Sequence, residues 1–418
     1  MTTGAVKINN VILLYKDLLG KATALECSYN LNFSKIDHNK QAKNYLNGEY
    51  SSYDSSLTNS SVFNKIINDF NAKITYKRKR HIFEFGCHVR HVVFNSKNIF
   101  PYYEIKRTTK NPLPYLNYGY KFNSNSHLAF NYMTSSDLPQ ITFLQPVKDN
   151  TNPTQIIMGN PDLSPTFNHN LNLSYDFINP RSGANLWTNF NFIKRNNDFS
   201  VYSIYDSLGR SIEKIVNVNG NYQSNFSISS SIPFFSNKLE LSPNIILNSD
   251  KTINYVNSQV NIQKNSNVNL GAVISMNLDT ISLVVSGNFG YNTTSTLNTN
   301  ISKPYNTQRY SVLLQLPLRR NFSIETNANF FINNRLEKGF NLNYLVWNLC
   351  VNKTFFIKEK NLIISLIGND ILNQNSSVNR TITNNVITDT KTNVINRYFL
   401  LKITFKIKNK SGGGVPPH

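Results

Sequence analysis

The chain has 418 residues, of which 40% are hydrophobic and 12% aromatic, and a formal net charge of +20. No run of about 18 apolar residues occurs, so no transmembrane helix is expected. The basic residues are scattered or gathered at turns such as Lys77–Arg80, which argues against a nucleic-acid-binding face. Cys27, Cys87 and Cys350 cannot all pair and lack a metal-binding spacing.

Apolar side chains at every second position predict strands along most of the chain. The first predicted strand covers residues 25–33, and a polar loop follows over 37–61. Residues 72–76 and 82–94 form a predicted hairpin closed by Lys77–Arg80, and residues 115–122 pair with 128–133. The stretch 95–112 is predicted to be irregular, and 62–70 has only a weak helical period.

The alternation is clearest near the middle of the chain. There Tyr222, Phe226, Ile228 and Phe234 occupy one face of a predicted strand, and Gln223, Asn225, Ser227 and Ser229 occupy the other. We count 16 to 18 such strands between residues 25 and 407. The pattern predicts an all-β, antiparallel transmembrane β-barrel of the outer-membrane type, with the apolar face toward lipid and the polar face toward the lumen.

Residues 134–166 interrupt this pattern with five prolines. Because proline removes a backbone donor that a strand ladder needs, Leu138–Pro165 is predicted to have a fixed, largely strandless conformation. We expect it at one barrel rim or folded into the lumen, where a long ordered connection has a shape-setting or functional role.

This segment carries a set of prolines and turn residues at distinctive spacing, namely Pro139, Pro146, Asp149, Asn152, Pro153, Gly159, Asn160, Pro161, Leu163 and Pro165. In their order these residues resemble the outer membrane protein beta-barrel family, the barrels of TonB-dependent receptors common in Bacteroidetes. The final strand also resembles the closing strand of the family, through Tyr398, Phe399, Leu401, Ile403 and Phe405.

The resemblance implies a 22-stranded barrel in the Gram-negative outer membrane, plugged by an N-terminal domain. It also implies contact with outer-membrane lipid, assembly by the barrel-assembly machinery, and coupling to TonB through the plug. This chain shows no signal peptide and no plug. We therefore expect residues 1–407 to be the C-terminal part of such a barrel, with 16 to 18 of its strands, unable to close alone, and 408–418 to be a flexible Gly/Pro tail.

Two functions remain open. The first is TonB-dependent uptake of a ligand such as a siderophore, peptide or glycan, and the second is a passive porin-like or structural barrel. A soluble adhesin is disfavoured because it would hide its apolar faces in a sandwich. Without a nucleophile motif we expect no enzyme activity, and no cofactor or nucleic acid is implied.

Histidine and aromatic residues give weaker signals. His88 and His91 lie three apart on a predicted strand, so they face opposite sides and no metal site is expected. Glu84, His88 and Arg90 share the polar face of that strand. Aromatic pairs at predicted strand ends, Tyr102–Tyr103 and Tyr398–Phe399, and also Tyr115, are expected in the interfacial girdles.

Overall fold

The alternation of apolar and polar residues produces long strands over most of the described chain. The computed structural model describes residues 2–41, 43–46, 48–53, 58–100, 102–145, 148–152, 154–278, 280–297, 304–334, 342–357, 360–383 and 386–407. Within these ranges there are twenty-five strands, one helical turn and one short 3-10 turn. No helix in the described ranges has the length and apolar character needed to cross a bilayer.

The N-terminal half contains the longest uninterrupted strands. Its elements are β1 (Thr2–Leu18), β2 (Thr23–Lys40), β3 (Lys43–Leu46), β4 (Glu49–Tyr53), β5 (Asn59–Arg78), β6 (His81–Phe100), β7 (Tyr103–Asn123), β8 (Ser126–Ser135), α1 (Ile141–Leu144), β9 (Lys148–Asn152), β10 (Gln155–Met158), β11 (Phe167–Ile178) and β12 (Asn185–Asn196).

The C-terminal half continues the same arrangement. Its elements are β13 (Asp198–Tyr205), β14 (Ser211–Val218), β15 (Asn221–Phe234), β16 (Leu239–Val256), β17 (Gln259–Leu278), β18 (Ile281–Thr296), β19 (Tyr305–Leu318), the 3-10 turn Arg319–Asn321, β20 (Phe322–Asn334), β21 (Leu342–Ile357), β22 (Lys360–Asn369), β23 (Ser377–Thr383), β24 (Val386–Thr392) and β25 (Tyr398–Ile407).

Twenty-one of the described strands join one sheet. Four of them, β9, β10, β13 and β14, form a side branch, and the other seventeen pair antiparallel in chain order from β1 to β25. The predicted count of 16 to 18 barrel strands and the all-β antiparallel class are therefore confirmed. The hairpins β1–β2, β5–β6, β7–β8, β11–β12 and β15–β16 all turn at one edge of this ladder, the short-turn edge. The opposite edge, the long-connection edge, carries all the long connections together with the short ones from β6 to β7 and from β16 to β17.

The two faces of the ladder have the composition that β15 predicts. Asn225 pairs with Asn248 of β16 and donates a hydrogen bond to its side chain, whereas Phe226 pairs with Leu247 on the opposite face. We call the side bearing Asn225 the polar face and the side bearing Phe226 the apolar face. Many large side chains of the apolar face are exposed, including Leu270, Ile274 and Phe330. The predicted separation of Tyr222, Phe226, Ile228 and Phe234 from Gln223, Asn225, Ser227 and Ser229 is thus confirmed.

Several connections predicted from the sequence are strands instead. Residues 95–112 belong mostly to β6 and β7, residues 62–70 lie within β5, and the polar loop at 37–61 holds the small β3–β4 hairpin. Strand β1 and the β23–β24 hairpin were not predicted at all. These segments are polar or lack strict alternation, and pairing with a neighbouring strand overrides their weak local signal.

The ladder does not close on itself within the described residues. Strand β1 pairs only with β2, and β25 pairs only with β22. The absence of pairing between the first strand and the strand ending at Ile407 agrees with the expectation from the sequence. Residues 408–418 lie outside the described part of the chain, so the prediction of a flexible tail stays a prediction.

Candidate functional site

The proline-rich segment folds onto the polar face of the ladder. Leu144 and Leu163 are fully buried there against Phe63, Phe94 and Ile105, which point from the polar face of β5, β6 and β7. Because these three residues lie far from the short-turn edge, the segment covers the inner wall near the long-connection edge. The predicted placement of Leu138–Pro165 at one rim or inside the barrel is consistent with this packing.

The family-motif residues at the end of this segment form its anchor. A Cβ atom on Gly159 would lie 1.8 Å from the carbonyl oxygen of Gln145, so only glycine fits this approach. Buried Asn160 donates from Nδ2 to the carbonyl of Ile215 in β14, at 2.9 Å. The carbonyl of Pro161 accepts a hydrogen bond from Arg107 Nη2 of β7, at 2.7 Å. The motif therefore ties the segment both to β7 and to the side branch.

The remaining motif residues of this segment have local roles. Pro139 is buried, Pro165 is half-buried, and the side chain of Asn152 accepts hydrogen bonds from Thr154 in the turn between β9 and β10. The backbone of Asp149 lies in β9, opposite Ile157. Pro146 and Pro153 lie outside the described residues.

The prediction that this segment is largely strandless needs a correction. Strands β9 and β10 lie within it, and β10 pairs in parallel with β14, from Gln155 opposite Ser211 to Met158 opposite Lys214. Both strands are short and lie between the prolines, so each proline falls at or outside a strand end. This arrangement permits a short ladder where the proline count alone argued against one.

The predicted closing strand is β25, and it pairs with β22 along its whole length. Phe399, Leu401, Ile403 and Phe405 lie on the apolar face and are exposed. Tyr398 alternates with them and therefore lies on the polar face. Aromatic and aliphatic side chains of β25 thus extend the apolar face to the last strand of the ladder.

A charged network lies on the polar face of β5 and β6. Arg90 donates from Nη2 and Nε to Asp69 Oδ2, at 2.7 and 2.9 Å, and His88 Nδ1 lies 3.1 Å from Asp69 Oδ1. As predicted, Glu84, His88 and Arg90 share this face, and His91 lies on the other. In the described ranges, no group of three or more His, Cys, Asp or Glu residues is placed to hold a metal ion.

Two aromatic residues expected in the interfacial girdle lie elsewhere. Tyr115 is buried on the polar face and its hydroxyl donates to Asn71 Oδ1, at 3.1 Å. Tyr103 packs against the buried cluster beneath the proline-rich segment. Both side chains point to the polar face of β7, where the contact of Tyr115 with Asn71 and the packing of Tyr103 against the buried cluster make inward burial favourable.

A row of eight asparagines crosses the polar face from β7 to β18. Each is directly opposite the next on the neighbouring strand, in the order Asn117, Asn131, Asn172, Asn191, Asn225, Asn248, Asn267 and Asn292. The first is six residues from the short-turn end of β7, and the last is eleven residues from that end of β18. Because neighbouring strands are staggered, the asparagine row lies nearer the short-turn edge at Asn117 and nearer the long-connection edge at Asn292.

The asparagine row is linked by side-chain hydrogen bonds in its second half. Asn225 donates to Asn248 at 2.5 Å, Asn248 donates to Asn267 at 3.2 Å, and Asn267 donates to Asn292 at 2.6 Å. Each amide has two N–H donors, and one bond to its neighbour leaves the second donor for solvent or a solute. The row thus presents a line of oriented amides to whatever occupies the interior.

A cavity of about 320 Å³ lies beside the Asn292 end of the asparagine row. Arg309, Phe331 and Tyr344 are opposite one another on β19, β20 and β21, with the Phe331 and Tyr344 rings stacked at 4.9 Å and the guanidinium 5.0 Å from the Phe331 ring. Asn288, Thr307 and Asn333 complete its polar lining. In the described residues, Arg309 has no carboxylate partner and Asn333 Oδ1 accepts no hydrogen bond. No local sequence pattern predicts this cavity, because its residues come from four strands.

Three solved structures have a weak likeness to this chain. The chain resembles the structures of the FpvAI–pyocin S2 complex (10% identity, 96% of this chain and 66% of that one, TM-score 0.36) and of the RagAB peptide transporter (9%, 88% and 58%, 0.36). It also resembles the copper transporter OprC (9%, 98% and 73%, 0.33). It spans less than two thirds of the first two chains, and no curated protein matches it in sequence.

The sequence itself matches a model of the outer membrane protein beta-barrel family over residues 3–278, about two thirds of the chain. That match covers the strands from β1 to β17, the proline-rich segment and most of the asparagine row. The antiparallel ladder with one apolar and one polar face is the structure that such a barrel requires. The chain therefore belongs to the outer membrane protein beta-barrel family, whose place is the Gram-negative outer membrane.

Proposed function

We propose that this chain forms the barrel wall of an outer-membrane receptor that takes up a polar ligand by TonB-dependent transport. The ligand class is a siderophore, peptide or glycan, and coupling to TonB passes through an N-terminal plug. The observation that carries the proposal is the asparagine row, a line of amides on the polar face that ends beside the Arg309 cavity.

The chemistry of this surface suits a ligand rich in hydroxyl, amide or carboxylate groups. The spare N–H groups of the asparagine row can donate to carbonyl or hydroxyl oxygens, and the guanidinium of Arg309 can donate to a carboxylate. Stacking on Phe331 holds that guanidinium in place, which reduces the entropy lost when a ligand binds. A barrel wall that only lined a water-filled channel would not require this line of linked amides beside a stacked guanidinium.

Transport assays separate this function from a passive barrel. Cells with the intact gene should accumulate a labelled ligand faster than a deletion strain, and a protonophore should abolish that difference. A passive porin-like barrel would give uptake that the protonophore leaves unchanged. Such a result would overturn the proposal of energised transport.

A substitution tests the wall itself. Asn248→Leu with Asn267→Leu removes two linked amides from the asparagine row and replaces each with an apolar side chain of similar size. We expect slower uptake without loss of folded protein. Thr294→Val, on the polar face beyond the row, is the matched control and should leave uptake unchanged. Equal effects of the two variants would show that the row has no part in transport.

A further inference from the structure

Three lysines lie together on the apolar face, on the side that faces lipid. Lys251 of β16 is directly opposite Lys264 of β17, and Lys194 of β12 is separated from Lys251 only by Tyr222 of β15. Neighbouring strands are about 4.8 Å apart, so the three side chains lie within reach of one small anion or of two adjacent ones. We call Lys194, Lys251 and Lys264 the lysine cluster.

The cluster has no acidic partner. On β12, β15, β16 and β17, the carboxylates nearest in sequence, such as Asp250, alternate with the lysines and point to the polar face, where Asp250 accepts a hydrogen bond from Asn265. None of the three lysines makes an ion pair with any residue that the structure describes. Like charges directly opposite in a sheet destabilise it, so an anion from outside the chain would stabilise the Lys251–Lys264 pair.

The depth of the cluster identifies the source of that anion. On β17, the uninterrupted series of outward apolar residues extends from Val268 to Leu278, eleven residues, which matches the roughly 9–11 residues of a spanning strand. Lys264 lies just beyond this band, and Lys251 lies four residues beyond Leu247 on β16. The cluster is therefore at headgroup depth rather than among the acyl chains.

The side of the membrane follows from the connections. Outer-membrane barrels have short periplasmic turns and longer extracellular loops, and the cluster lies at the end of the strands away from the short-turn edge. It is thus at the outer leaflet, which in Gram-negative bacteria is built from lipopolysaccharide. Phe192 and Tyr222, whose ring centroids are 6.0 Å apart, lie beside it in the manner of an interfacial aromatic girdle.

We propose that the lysine cluster binds the phosphate groups of lipid A, the bisphosphorylated glycolipid that anchors lipopolysaccharide. The opposed ammonium groups of Lys251 and Lys264, with that of Lys194 nearby, donate hydrogen bonds. The oxygens of one phosphate and of its neighbour accept them. Binding relieves the Lys251–Lys264 repulsion and fixes a lipid against the girdle. Unlike the proposed transport, this site uses the outer surface of the wall.

The test is lipid binding by the intact protein purified from outer membranes into detergent. Native protein should retain bisphosphorylated lipid A and release its dephosphorylated form. Lys251→Gln with Lys264→Gln should weaken binding of lipid A by roughly 25-fold, since each lysine near an anionic lipid surface contributes about a factor of five. The control, Lys238→Gln with Lys353→Gln, removes two lysines near the short-turn edge and should bind as native protein does.

A charge reversal separates binding from folding. Lys251→Glu places an opposite charge across from Lys264, so the sheet should be at least as stable, yet lipid A binding should be lost. Equal retention of the dephosphorylated lipid, an equal loss in the control variant, or undiminished binding by Lys251→Glu would each overturn the proposal. Displacement by an equal concentration of inorganic phosphate would also overturn it, because the site would then recognise free phosphate rather than lipid.

Discussion

Gly159 lies against the carbonyl group of Gln145 so closely that a Cβ atom at position 159 would be 1.8 Å from the carbonyl oxygen. Backbone atoms cannot give way as a flexible side chain can, so this contact fixes the residue type. It joins two parts of the proline-rich segment, and the adjacent Asn160 N–H donates to the carbonyl of Phe143 at 2.5 Å. The shape of the segment that covers the inner wall depends on this one approach.

Replacement of Gly159 by alanine should therefore open the segment. We expect a loss in the free energy of unfolding of about 1–3 kcal/mol, the usual range for overpacking, and faster proteolysis between residues 138 and 165. Gly20→Ala is the control, since a Cβ there would meet nothing within 4 Å. Equal protease resistance of the Gly159 variant and native protein would contradict this account of the anchor.

A charged side chain on the apolar face should destabilise the protein in a bilayer. Phe226→Arg should destabilise the protein in lipid bilayers by about 2–4 kcal/mol if the residue lies near the midplane. Ser227→Arg, one residue away on the polar face, should cost much less because its side chain meets water. Urea unfolding of both variants in lipid vesicles measures the difference, and equal costs would show that the assigned faces are wrong.

A second glycine supports a buried tyrosine on the polar face. A Cβ on Gly86 would lie 2.4 Å from both Cζ and Oη of Tyr115, so Gly86→Ala should displace the ring and break its hydrogen bond to Asn71. We expect a loss of about 1–3 kcal/mol of unfolding free energy. In a Tyr115→Ala background the same glycine substitution should cost almost nothing. A cost that persists there would assign the effect to the backbone instead.

The turn between β13 and β14 gives a prediction for pH. Hydrogen bonds from the side chain and backbone of Arg210, and from the backbone of Leu208, hold the pKa of the Asp206 carboxyl below its usual range. A lowered pKa means that the ionised turn is stabilised above the unfolded-state pKa and loses this stabilisation as pH falls through the folded-state pKa.

An NMR titration of the Asp206 carboxyl measures this effect directly. Native protein should titrate below the ordinary aspartate value of about 3.9. Arg210→Gln should move the midpoint up, because the side-chain hydrogen bond is the largest cause of the shift. A midpoint at or above the ordinary value in native protein would contradict the hydrogen bonding seen in the turn.

Much of the ladder could be predicted from alternation alone. Strands such as β15 and β17 present apolar side chains on one face and polar side chains on the other, so a period of two is clear in their sequences. Strand β1 and the first part of β7 could not be predicted in this way. Both faces of β1 mix polar and apolar residues, and the first part of β7 places Glu104 and Lys106 on the apolar side, so only pairing with a neighbour makes these segments strands.

The functional surfaces were harder to predict, because they are made of residues distant in sequence. Nothing local links Asn117 to Asn292, and the asparagine row exists only when eight strands adopt one register. The Arg309 cavity and the lysine cluster arise in the same way. Pro161 and Leu163 could be recognised from a motif, yet the partners that explain them, Arg107 and Phe63, could not.

The central claim is that one face of every ladder strand meets lipid and the other meets the polar interior. Spin labels on single cysteines at positions 222 to 232 test it most directly, in native membranes and with Cys27, Cys87 and Cys350 replaced. Collisions with oxygen, which concentrates in lipid, should peak at 226, 228 and 232, and collisions with a polar nickel complex should peak at 225, 227 and 229. Oxygen and nickel profiles without this opposed period of two would contradict the account.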